Sequence, residues 1–259
     1  MSVRGSLQTT EKAPMMRQAS SRSKGNTYRK TAVTVGILFI IGTVAGIFSG
    51  VLTAPVLDVP NYMDEVAANE ARVVWGALMV LVMGFPLAMI PVVMFPIFRK
   101  YNEPLALGAV VFRGVLEAIA YILMVLCWLV LIPLSQEFVN AGAQDAAYLQ
   151  ALGGVLTDGV YWINHILALV FTIGAAMLYW LFWKTKLIPS WLALWGFLGA
   201  ILYFAAPIAN MLDSARLPLS LGVKWGYLMI PLAIQEMVFA LWLIVKGFNH
   251  ATAVLEKES

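Results

Sequence analysis

Arg113 and Glu117 stand four residues apart in the run Phe-Arg-Gly-Val-Leu-Glu-Ala, and Glu236 follows Gln235 in a second apolar run. Residues four apart share one helix face, so a guanidinium and a carboxylate from the first run would stand together. If Glu236 meets them, one positive charge faces two negative ones. Away from water such a set is expected to keep a proton on one glutamate, because like charges and desolvation both disfavour the second ionised carboxylate. That is the chemistry of a substrate-binding or proton-relay site, with Gln235 beside it as a hydrogen-bonding group. A second polar group lies elsewhere in the chain: Asn164 and His165 open one apolar run, and Asn210 and Asp213 close the next. Facing one another, these four would line an outer vestibule leading to the glutamates. A His165–Asp213 pair would also supply an acid and a base to an intramembrane enzyme acting on a lipid.

Other chemistries have little support. The chain has no Gly-x-Ser-x-Gly, phosphate loop, His-Glu-x-x-His or Gly-x-Gly-x-x-Gly motif. Cys127 is the single cysteine, so neither an intramolecular disulfide nor a cysteine-based metal site is available. His165 and His250 fall at opposite ends of their spans, which disfavours bis-histidine haem and a histidine-rich zinc site. No cofactor and no metal is expected, and a catalytic role is less favoured than a binding one. Ser49, Thr53 and Thr172 are expected to bond their own helix backbone.

The elements that must position these residues follow from composition. Of 259 residues 61% are hydrophobic and 12% charged, against roughly 45–50% and about 25% in soluble domains. Such a chain cannot cover a water-facing surface, which excludes a large soluble catalytic domain, a nucleic-acid reader and a disulfide scaffold. Six apolar runs, at 31–55, 72–98, 105–133, 160–183, 188–212 and 224–246, are each long enough to span a hydrocarbon layer of ~30 Å. Lipid cannot satisfy open backbone groups and no strand-like alternation appears, so the runs are expected to be helices. The fold expected is an all-α, polytopic bundle of six transmembrane helices over residues 29–249. A basic, disordered tail (1–28) precedes it and a short tail (250–259) follows; the first apolar run is too long for a cleavable signal.

Charge sets the orientation. With the N-terminus inside, the inner side holds Arg4, Lys12, Arg17, Arg22, Lys24, Arg29 and Lys30 together with Arg99, Lys100, Lys184, Lys186, Lys246 and Lys257. The outer loops hold Arg72, Arg216 and Lys224 against eight acids. Both termini are therefore expected in the cytoplasm, with the basic tail available to anionic lipid. The outer segments Asp64–Glu70 and Gln144–Leu149 are expected to form short interfacial helices. Gly42, Gly46 and Gly50 present a small-residue face to another helix, and Pro86, Pro91 and Pro96 are expected to bend the second span.

Three features resemble the bacterial membrane family known as domain of unknown function 4386. They are Phe112-Arg113…Glu117-Ala118, the Ile188-Pro189-Ser190-Trp191…Gly196 opening, and the Glu236…Ala240-Leu241-Trp242-Leu243…Lys246-Gly247-Phe248 run. The likeness covers about residues 30–248. It implies a multi-pass protein of the bacterial cytoplasmic membrane and no particular activity. The function expected is small-substrate binding or proton-linked transport through Arg113, Glu117 and Glu236. A non-catalytic structural or regulatory factor is the first alternative and a lipid-directed enzyme the second. The expected partners are the bilayer and a small molecule, with no nucleic acid.

Overall fold

The computed structural model describes residues 5–214 and 224–249, with side chains from Thr27 onward. Helix α1 runs Gly5–Leu57, α2 Tyr62–Ala68, α3 Glu70–Ala109, α4 Glu117–Asn140, α5 Ala143–Thr185, α6 Ser190–Met211 and α7 Ile230–Val245. A π-helical segment, Val110–Leu116, joins α3 to α4, and a 3-10 turn, Gly226–Met229, precedes α7. No strand occurs among the described residues. The tail expected over 1–28 falls outside the described side chains except for Thr27 and Tyr28, while Arg216, His250 and Lys257 lie outside the described residues.

Five stretches are long and apolar enough to cross a membrane: Thr27–Leu57, Glu70–Asn140, Ala143–Thr185, Ser190–Met211 and Gly226–Val245. Two expected spans, 72–98 and 105–133, fall within the one stretch Glu70–Asn140, and the chain reverses inside it at Asn102. Asn102 has φ −154° and ψ 97°, the one non-helical residue in α3. Its Oδ1 accepts the N–H of Leu105 at 2.9 Å, which makes it an N-cap for the helix that restarts with Glu103 and Pro104. Positions on the two sides then pair in opposite order. Gly84 lies against the Tyr121 ring, and Gly114 against the Ala88 carbonyl and Pro91. The bends expected at Pro86, Pro91 and Pro96 leave no non-helical residue; a proline already holds a helical φ, and its neighbours absorb the missing donor.

Small residues set the distances between helices. Gly42 faces Leu87 and Gly46 faces Met83, while Gly76 of α3 faces Thr53, so α1 and α3 run antiparallel in close contact. The third glycine of that series, Gly50, faces open space. Thr53 and Thr172 donate to their own helices, to the Ser49 and Ala168 carbonyls. Ser49 departs from that expectation, because its hydroxyl crosses to the Gly76 carbonyl at 2.9 Å, where the glycine admits it. At the opposite end, the Arg29 guanidinium donates to the carbonyls of Leu243, Ile244 and Val245. It thereby fastens α1 to the negative end of α7.

A core of rings packed edge to face fills the half of the bundle towards Arg29. Phe239 meets Phe39, Tyr179 and Phe182 at centroid distances of 5.5, 5.8 and 5.0 Å, and Phe98 meets Phe182 at 4.9 Å. The other half is capped by α2, whose Met63 and Val66 pack with Val56, Val73 and Leu131. The interfacial helix expected at Gln144–Leu149 is instead the opening of α5, which is 43 residues long. Only Ala141 and Gly142 separate α4 from α5, and the alanine-rich start contains nothing to stop a helix from running on into the apolar span. At 1.5 Å per residue α5 is about 65 Å long, twice the ~30 Å of a hydrocarbon layer.

Candidate functional site

The site is built where the π-helical segment, α4, α5 and α7 converge. A π turn widens the helix and leaves it out of step with its neighbours, a device common at functional sites. Here it carries Arg113 on a stretch that α5 approaches at backbone distance. A Cβ on Gly174 would lie 2.6 Å from the Arg113 nitrogen, so glycine is what permits the approach. Arg113 is fully buried. Its guanidinium carbon sits 4.5 Å from the Phe171 ring centroid and 5.6 Å from that of Phe39, a cation–π clamp of two rings.

The three charges expected to meet do meet. Arg113 Nη2 donates to Glu236 Oε1 at 2.8 Å, and Arg113 Nη1 stands 3.9 Å from Glu117 Oε2. Glu117 is sealed from the surface, whereas the Glu236 side chain keeps 15% exposure. The Tyr121 hydroxyl donates to Glu117 Oε1 at 3.2 Å. The longer Arg113–Glu117 separation attracts without hydrogen bonding. Arg113 Nε, Arg113 Nη1 and Glu117 Oε2 are accordingly buried with no hydrogen-bond partner. Unpaired buried groups of this kind cost free energy, on the order of 1–3 kcal/mol each, and they retain full capacity to bind. Gln235 does something else: its amide donates to the Leu192 carbonyl at 3.1 Å and ties α7 to α6. It neighbours Glu236 in sequence, but about 100° of helical rotation separates the two.

Glu117, Tyr121, Tyr203 and Glu236 line a cavity of about 210 Å³ between the helices. A second cavity of about 260 Å³ lies towards the α2 end and is lined by Asp58, Trp128, Tyr161 and His165 among others. Asn164 belongs to both walls, so the two cavities adjoin at its side chain. His165 is fully buried. Its Nδ1 lies 2.7 Å from the Tyr161 carbonyl and its Nε2 2.9 Å from Asn210 Nδ2. A carbonyl only accepts, so Nδ1 carries a hydrogen, and Nε2 faces the Asn210 amide.

Of the four residues expected in the vestibule, Asn164, His165 and Asn210 lie together, and Asp213 does not join them. It holds Lys224 at 2.8 Å and the Trp225 indole at 3.1 Å. His165 and Asp213, the acid and base of the lipid-enzyme alternative, share no hydrogen bond. Composition offers no reason to name Tyr121, Tyr203, Phe39, Phe171 or Asp58. Tyr121 has a legible signal, since it follows Glu117 by four residues. Burial pushes the Asp58 carboxyl above the ordinary range, although it lies in the turn after α1.

No curated protein and no solved structure shows a match to this chain. A family match does exist, and it covers residues 34–247. That range takes in the clamp, both cavities and the Gly174 approach. The chain belongs to the family described as a domain of unknown function, DUF4386.

Proposed function

We propose that this chain is a six-crossing protein of a bacterial cytoplasmic membrane, both ends inside, which binds a small substrate and couples its passage to a proton. The reversal at Asn102, which divides Glu70–Asn140 into two antiparallel halves, supports six crossings. The basic residues crowded on the N-terminal side support the orientation. The transport reading rests on one observation: Glu117 and Glu236, the two carboxylates of the cluster, line a cavity that shares Asn164 with the outer one. One guanidinium and two carboxylates leave one surplus negative charge. A single proton or a single positive ligand balances it, so the two compete for one site, which is the elementary step of exchange. The unpartnered Glu117 Oε2, on a residue of the cavity wall, can accept a hydrogen bond from whatever arrives.

Purified protein in liposomes loaded with a pH-sensitive dye tests this. Addition of a panel of small amines, acids and sugars should move protons with at least one of them, and Glu236→Gln should abolish the signal. Proton movement that survives intact in Glu236→Gln, or none with any compound, defeats the proposal. The cation–π clamp by Phe39 and Phe171 favours a second reading, in which the cluster only fastens α7 to the π segment. In that case Glu236→Gln lowers thermal stability in detergent and changes nothing else.

A further inference from the structure

The outer cavity has a chemical character of its own. Two aromatic rings, Trp128 and Tyr161, line it together with the carboxylate of Asp58. No described lysine or arginine pairs with Asp58, and none lines the cavity. The imidazole on its wall, His165, has both ring nitrogens engaged, by the Tyr161 carbonyl and by Asn210. Aromatic side chains beside a carboxylate with no described lysine or arginine partner attract positive charge that is weakly hydrated. A metal ion is a poor fit, because Asp58 is the single carboxylate on the wall and the remaining lining is largely apolar. A volume of about 260 Å³ falls just below the roughly 300–1,000 Å³ of ligand sites, so the guest is small.

We infer that the outer cavity binds a small organic cation of the quaternary or tertiary ammonium class, held by the aromatic side chains of Trp128 and Tyr161 against the Asp58 carboxylate. The fate of the bound cation rests on the transport reading, which the inference deepens by naming the substrate class. The next cavity inward, which shares Asn164, is lined by Glu117 and Glu236, whose two charges exceed the one of Arg113 behind them. A cation admitted at Asp58 is the ligand that can displace a proton there.

Equilibrium binding to the full-length protein in detergent, measured by calorimetry, decides the matter. The probes are choline, its neutral isostere with carbon in place of the ammonium nitrogen, and benzenesulfonate as an anion. Choline should bind at least tenfold more tightly than either of the others. Asp58→Asn should weaken choline binding tenfold or more, and Trp128→Leu severalfold, with both variants keeping the melting temperature within a few degrees of the parent. Equal binding of the neutral isostere, unchanged choline affinity in Asp58→Asn, or no choline binding at millimolar concentration each overturns the assignment. The outcomes separate the two proposals. Choline that binds without moving protons in liposomes leaves the cation site standing and removes the coupling. Proton movement driven by another compound, with no choline binding, does the reverse.

Discussion

The two cavities meet at one asparagine yet solve the problem of buried polarity in opposite ways. The inner one gathers full charges and leaves three of their polar atoms without hydrogen bonds. Towards the outer one, His165 is bonded at both ring nitrogens to neutral groups, and the single charge, Asp58, stands at the rim. A protein that needed only to fasten helices would do better with the second arrangement, since neutral, satisfied bonds carry no desolvation penalty of the size that ions do. The inner cavity keeps a stock of unmet charge and hydrogen-bonding capacity, as a site awaiting a ligand does.

That contrast can be broken by substitution. The largest effect is expected from Arg113→Leu, which strands two carboxylates and should cost about 3–5 kcal/mol, read as a fall in melting temperature in detergent. Adding Glu236→Leu should recover part of the loss, because it removes one of the two stranded carboxylates and leaves Glu117 alone. A double variant as unstable as the single one would mean that the cluster contributes packing rather than charge balance. Next comes Asn210→Ala, which takes the donor from His165 Nε2 and should cost about 1–3 kcal/mol with no partner substitution able to restore it. An effect as large as that of Arg113→Leu would erase the distinction between the cavities. The smallest effect is expected from Asp58→Asn. Burial raises that carboxyl in the folded protein, so the fold favours the protonated form and loses stability as pH rises through the ordinary carboxylate range. The asparagine variant should therefore melt slightly higher than the parent at neutral pH and no higher at acid pH. The opposite sign would show that Asp58 has a cationic partner when folded.

The parts of this arrangement legible in the sequence are those in which a single residue violates its surroundings. Arg113, Glu117 and Glu236 stand out because a charge inside an apolar run must find a partner within the protein. Asn102, with Glu103 and Pro104 after it, carries the signature of a helix start and divides one long helical stretch into two antiparallel arms. Gln235 misled for a geometric reason: adjacency in sequence is divergence on a helix, and its amide turns to the Leu192 carbonyl. The π turn left no trace because its residues, Val, Val, Phe, Arg, Gly, Val and Leu, are as compatible with a normal helix as with a wide one. Cavities are likewise invisible, since they are the space that several packed helices fail to fill, and no one helix records that.

The wide turn at Val110–Leu116 governs every residue downstream of it on the same rod. Glu117 belongs to the inner chamber, with Arg113 behind it, and Cys127, Trp128 and Leu131 to the outer wall, all on one continuous run of helix. Excising one residue from the turn would swing the whole downstream rod by about 100°. The indole would leave the outer chamber in the same motion that carried Glu117 away from the guanidinium. A single irregular turn thus keeps both chambers in phase, like the keyway that locks two cams to one shaft.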